Sequence, residues 1–236
     1  MSNHATVTAR IQLLKPHLDD AIRRMWAHPD CAAMYREWMC SLHGMIRATV
    51  PLMTAAIDRC LAMRGDPVAW SVAEPVAAYF AKHVREEFGH DEWVREDYLA
   101  AGGTGADLDA FVPGPAVAAL VGSQYYWIRH AHPVALVGHI AVLEGYPPSV
   151  HLAGELARRT GLPAAAFRAI ARHAHLDVKH RDDIVRLIDG LPLDARSLTL
   201  VGTSALHTTR GMIDVVAEVV RRGERRGAST VDRAAA

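Results

Sequence analysis

The chain has 236 residues, half of them apolar, enough for one large domain with a substantial core. Lys+Arg and Asp+Glu balance at 26 each, so the charge gives no reason to expect nucleic acid or an anionic membrane as a partner. Cys31, Cys40 and Cys60 show no CxxC pairing and read as buried or incidental thiols of a reducing compartment.

The first twenty residues lack the uninterrupted apolar stretch of a secretory signal, and the longest apolar run, 133–143, is short and carries His139. A cytoplasmic protein is expected. Alanine, leucine, arginine and glutamate are frequent, and glycine and proline fall between periodic segments. This pattern predicts helices at about 5–27, 31–63, 69–101, 113–128, 133–145, 149–160, 163–188 and 194–222. Asp30 and Pro163 act as start signals, and Gly102, Gly103 and Gly190 as stop signals. No segment alternates like a strand, and the short connections suit an antiparallel bundle. The expectation is an all-α fold of seven or eight helices in a single domain over 1–222, with a disordered Arg/Ala-rich tail at 223–236.

In chain order, the helix at 31–63 carries Glu37, Cys40 and His43. The helix at 69–101 contains His83, Glu87 and His90, spaced H-x3-E-x2-H. At about 3.6 residues per turn such positions share one face. The segment 123–133 concentrates Tyr125, Tyr126, Trp127, His130 and His132, which suit either a substrate wall or a helix end packed on the core. The apolar run at 133–145 ends in Glu144, a lone acid that calls for an inward partner. The helix at 163–188 repeats the earlier spacing as H-x3-D-x2-H, with His173, Asp177 and His180 on one face. In the last helix, Leu206, Met212, Ile213, Val216 and Val219 suit inward packing or a homodimer seam.

The two near-duplicate triplets, with Glu144 between them in the chain, point to a metal site. Helical di-iron bundles use the E-x-x-H spacing of Glu87 and His90, with further carboxylates from other helices. Carboxylates offset the charge of two close cations, and this oxygen and nitrogen donor set suits iron or manganese better than an iron–sulfur cluster. Glu86 stands four residues before His90 and competes with Glu87 as ligand; Glu87 is preferred because it shares its face with His83 and His90. His83 itself reads as a ligand, a supporting base or a packed histidine. The bland alternative is a solvated polar face on each helix.

At EEFGHDEW (86–93), EGYPP (144–148) and HAHLDVKH (173–180), the sequence resembles the heme-oxygenase-like di-iron oxidases and oxygenases, over roughly residues 31–190. The resemblance implies a heme-oxygenase-like bundle and a metal set of Glu87, His90, Glu144, His173, Asp177 and His180. It also implies two irons cycling between Fe(II) and Fe(III), with dioxygen as co-substrate. The implied activity is oxidation of a small amino-acid- or fatty-acid-like substrate, often in natural-product biosynthesis; the sequence leaves the electron source open, an external electron donor being one candidate. In some members an early helix adds a carboxylate, for which Glu37 is the available glutamate. Two other readings are carried forward. One is a heme-binding or cofactor-independent oxidase on this scaffold, with His17 or His43 as the heme ligand. The other is a non-catalytic metal-binding helical protein.

Overall fold

A computed structural model of the chain describes the backbone of residues 1–234 and the side chains of residues 1–226. Among the described residues there is no strand. The chain opens with α1 (Asn3–Gln12) and α2 (Lys15–Ala27) where one helix was expected. Pro16 lies in the first turn of α2, where its missing N–H costs nothing, so a new helix starts there. Next comes α3 (Cys31–Leu61), capped by Asp30, whose carboxylate accepts a hydrogen bond from the Ala33 amide at 3.0 Å.

The predicted helix at 69–101 is also two helices, α4 (Pro67–Glu87) and α5 (His90–Ala100). Between them Phe88 is extended and Gly89 has φ +86°, a left-handed conformation that glycine adopts without strain. The short α6 (Gly105–Asp109), α7 (Pro115–His130), α8 (Ala135–Leu143) and α9 (Leu152–Thr160) follow. A 3-10 turn (Ala164–Phe167) leads into α10 (Arg168–Gly190), and α11 (Ala195–Ala234) closes the bundle. The two breaks and α6 raise the helix number above the seven or eight expected. The backbone of the predicted tail continues α11 to Ala234, and the side chains after residue 226 lie outside the described residues.

The packing explains why the run at 133–143 is so apolar. Every residue from Ala135 to Val142 is buried, so α8 is the central helix of the bundle. It packs with Leu52, Met53, Val76, Phe80, Val201 and Ala205. No helix among the described residues is long and apolar enough to cross a membrane. Gly138 lets α8 approach α11 closely: a Cβ there would lie 2.1 Å from the Val201 carbonyl oxygen. On the other side of α11, Met212, Val216 and Val219 pack with Met25, Met34 and Leu120. The apolar face of the last helix therefore turns inward at these positions. All three cysteines are buried and free.

Candidate metal centre

Four helices bring their polar residues to one buried place. α4 supplies His83 and Glu87, both buried on the same face. α5 supplies His90 as its first residue. α8 supplies Glu144 at its C-terminal cap. α10 supplies His173, Asp177 and His180 along one face, while neighbouring Leu176 and Val178 are exposed.

His83, Glu87, Glu144 and His180 each offer a donor atom within 4.8 Å of all the others. His83 Nε2 lies 2.7 Å from Glu144 Oε1, and His180 Nδ1 lies 3.5 Å from Glu144 Oε2 and 3.8 Å from Glu87 Oε1. The remaining three residues adjoin this group. His90 Nδ1 lies 3.0 Å from Glu87 Oε2, and His173 Nδ1 lies 3.1 Å from Asp177 Oδ1. Asp177 Oδ1 is in turn 3.6 Å from His180 Nδ1. All six residues predicted as ligands are thus gathered, and His83 joins them.

His90 reaches the cluster by a different route from the one its spacing suggested. The helix ends at Glu87, so helical periodicity does not place His90; the turn at Gly89 does. Trp93 then stacks on the His90 ring, with centroids 3.9 Å apart, and the Arg172 guanidinium covers Trp93 at 4.4 Å.

Glu86 faces the rim. It accepts from Lys179 at 2.7 Å, and Lys82 and Lys179 both bond Asp183, tying α4 to α10. Its other oxygen lies 3.3 Å from His83 Nδ1, so Glu86 orients the imidazole whose Nε2 faces Glu144. Asp97, buried on α5, had no sequence signal. It accepts from the Ala169 amide at 2.7 Å and so caps the start of α10, the helix that carries three of the cluster residues. Glu37 is elsewhere, buried beside Arg226 at 2.7 Å. His17 is exposed, and His43 belongs neither to the cluster nor to the adjoining cavity. Tyr126 is exposed and Trp127 packs edge-on against His207.

The carboxylates and imidazoles of the cluster shift one another's protonation. Burial alone would push the His83 pKa down, but the Glu144, Glu87 and Glu86 carboxylates outweigh it and raise it to about 9. Burial raises the Glu144 pKa. For Asp177 burial also acts upward, but the hydrogen bond with His173 and the nearby His180 imidazole bring it below the usual carboxylate range. Even so, Glu87 Oε1, Glu144 Oε2, His173 Nε2 and His180 Nδ1 are buried without a hydrogen-bond partner. Unpaired buried polar atoms cost about 1–3 kcal/mol each. Four on one cluster, all of metal-ligating types, fit a group that binds there, and three carboxylates with four histidines match the needs of ferrous ions.

A cavity of about 370 Å³ adjoins the cluster, reaching Glu87, Glu144, His173 and Asp177. Its walls are otherwise mostly apolar, with Trp26, Trp38, Met39, Met45, Ile140 and Leu143 among them. Residues 52–210 match the family model described as iron-containing redox enzyme. The chain belongs to that family. Iron at a buried cluster of carboxylates and histidines is in keeping with it.

Solved structures agree on the fold. One is a domain of unknown function with a heme oxygenase-like fold from Shewanella denitrificans OS217. It superposes with a TM-score of 0.75 at 15% identity, covering 92% of this chain and 93% of that one. A TenA homolog from Pseudomonas syringae pv. tomato DC3000 superposes with a TM-score of 0.63 at 13% identity, covering 89% and 92%. The fold is therefore all-α and heme oxygenase-like. Among curated proteins no relative matches the chain.

Proposed function

We propose that this member of the iron-containing redox enzyme family is a non-heme di-iron oxygenase or oxidase acting on a small organic molecule. One observation carries the reading: a buried cluster of carboxylates and histidines, four of whose polar atoms lack partners, forms one end of an apolar cavity. Two ions would be held by His83, Glu87, His90, Glu144, His173, Asp177 and His180. Bound iron would supply the reduction of dioxygen coupled to oxidation of the substrate.

The chain's own residues have separable tasks. Glu86 and Trp93 fix the rings of His83 and His90. Asp97 secures the start of α10, and with it the position of His173, Asp177 and His180. The apolar walls exclude water and hold the substrate against Glu87 and Glu144. An apolar chain suits such walls better than a zwitterionic amino acid. Where a reaction consumes more electrons than the substrate yields, an external donor supplies them.

The cavity favours an enzyme over a metal-storage protein, because storage has no use for a substrate-sized apolar space beside the metal. The test is oxygen uptake by the iron-loaded protein in the presence of apolar organic compounds. The proposal expects one of them to accelerate uptake and to be recovered oxidised, and Glu144→Gln to abolish the acceleration. Slow uptake that no compound alters, with iron bound, would leave storage as the function.

A further inference from the structure

His139 is a polar residue in the most apolar helix of the protein. It is 5% exposed, lies five residues before Glu144, and lines the same cavity. Its Nδ1 is 3.0 Å from Thr208 Oγ1 on α11, and among the described residues its Nε2 has no hydrogen-bond partner.

Thr208 settles which nitrogen carries the proton. Its hydroxyl is fully buried and, among the described residues, its hydrogen-bond partner is His139 Nδ1 alone. Other threonines on α11 place their protons on the carbonyl four residues earlier: Thr203 on Thr199 and Thr209 on Ala205, at 2.8 and 2.9 Å. Thr208 makes no such bond. Its proton satisfies both groups only if the hydroxyl donates to Nδ1. Burial lowers the His139 pKa to about 3, so the ring is neutral and has a single N–H. That N–H is on Nε2.

The rest of the lining bears on charge. Among the described residues, no lysine or arginine lines the cavity, and its acidic groups, Glu87, Glu144 and Asp177, all belong to the metal cluster. A ligand carboxylate lodged beside His139 would meet one neutral N–H and apolar walls, which does not offset the cost of burying a charge.

We propose that His139 is a specificity-determining residue whose Nε2–H holds an accepting oxygen of an uncharged, mostly apolar substrate, such as a ketone, ester or alcohol. This rests on the reading that the cavity is the substrate site of the proposed di-iron enzyme. The helical rise of about 1.5 Å per residue puts His139 and Glu144 roughly 7 Å apart along α8. At about 100° per residue the two also lie about 140° apart around α8, so a substrate held at His139 must span at least that axial distance to reach the cluster.

The experiment has two arms. In protein labelled with 15N-histidine, His139 should show a protonated Nε2 and an unprotonated Nδ1; the reverse would overturn the proposal. In the metal-free protein, binding of methyl nonyl ketone and of undecanoate is followed by the fluorescence of Trp26 and Trp38, which line the cavity. The ketone should bind more tightly, and His139→Phe should weaken it roughly three- to tenfold. A second variant, His139→Phe with Thr208→Val, removes both polar partners together, keeps the fold testable and should show the same loss. No ketone binding, undecanoate binding at least as tight, or full ketone affinity in both variants would overturn the proposal. Iron content is counted separately. Selectivity without iron loading would sink the di-iron reading and leave the role of His139 standing, whereas iron loading without selectivity would do the opposite.

Discussion

Replacing Gly138 by alanine tests the link between packing and site. The added Cβ would lie 2.1 Å from the Val201 carbonyl oxygen and 3.0 Å from the Ala205 amide nitrogen, both backbone atoms that cannot rotate away. Relieving the contact requires α8 to move by roughly 1 Å from α11, and overpacking of that kind costs about 1–3 kcal/mol. For a chain of this size the melting temperature should fall by roughly 3–10 °C. The same movement carries Glu144, at the end of α8, away from His83, which it meets at 2.7 Å. Iron affinity should drop on the order of tenfold. The assays are thermal unfolding and competition for iron against a chelator. Gly122→Ala is the control: it is an exposed position within α7, with nothing within 4 Å of the added Cβ. There alanine should stabilise by about 0.5–1 kcal/mol through helix propensity. If Gly138→Ala matches wild type in melting temperature and iron retention, the proposed role of the α8–α11 contact is wrong.

Three further outcomes are expected. His139 is held neutral down to about pH 3 when folded, whereas an unfolded histidine binds its proton near pH 6.5. Stability from this group is therefore complete above pH 6.5 and declines as pH falls toward 3, by about 2 kcal/mol at pH 5. Urea unfolding at pH 8 and pH 5 should show a smaller acid loss in the His139→Phe/Thr208→Val variant than in wild type. Anaerobic Fe(II) at a hundred times its dissociation constant should add about 2.7 kcal/mol of stability, read by calorimetry, and Asp177→Ala should lose most of that gain. Glu37→Gln should leave the iron content unchanged, because Glu37 sits beside Arg226 and away from the cluster.

Legibility in the sequence followed how local each feature is. His173, Asp177 and His180 share an unbroken helix, so their spacing translates directly into a common face. The same reasoning for His83, Glu87 and His90 was right for the first two and wrong in mechanism for the third. Gly89 was visible in the EEFGH segment, yet periodicity alone gave no weight to a left-handed break. Glu144 stood out because an acid closing an apolar run needs a partner. Asp97 did not, because an acid within an acidic stretch has no pattern to distinguish it, and its partner, the Ala169 amide, is 72 residues away. The cavity was illegible for the same reason, since its walls come from helices scattered along the chain. The position of Pro16 and the break at Gly89 likewise account for two of the additional helices; the short α6 is the third.

The most direct test of the central claim is an iron count. Apo protein is loaded anaerobically with Fe(II), excess metal is removed, and iron per chain is measured for wild type, His180→Ala and Glu144→Gln. The di-iron reading predicts about two irons per wild-type chain and a marked loss in both variants. Iron at background level in wild type, or the same content in all three proteins, would contradict it.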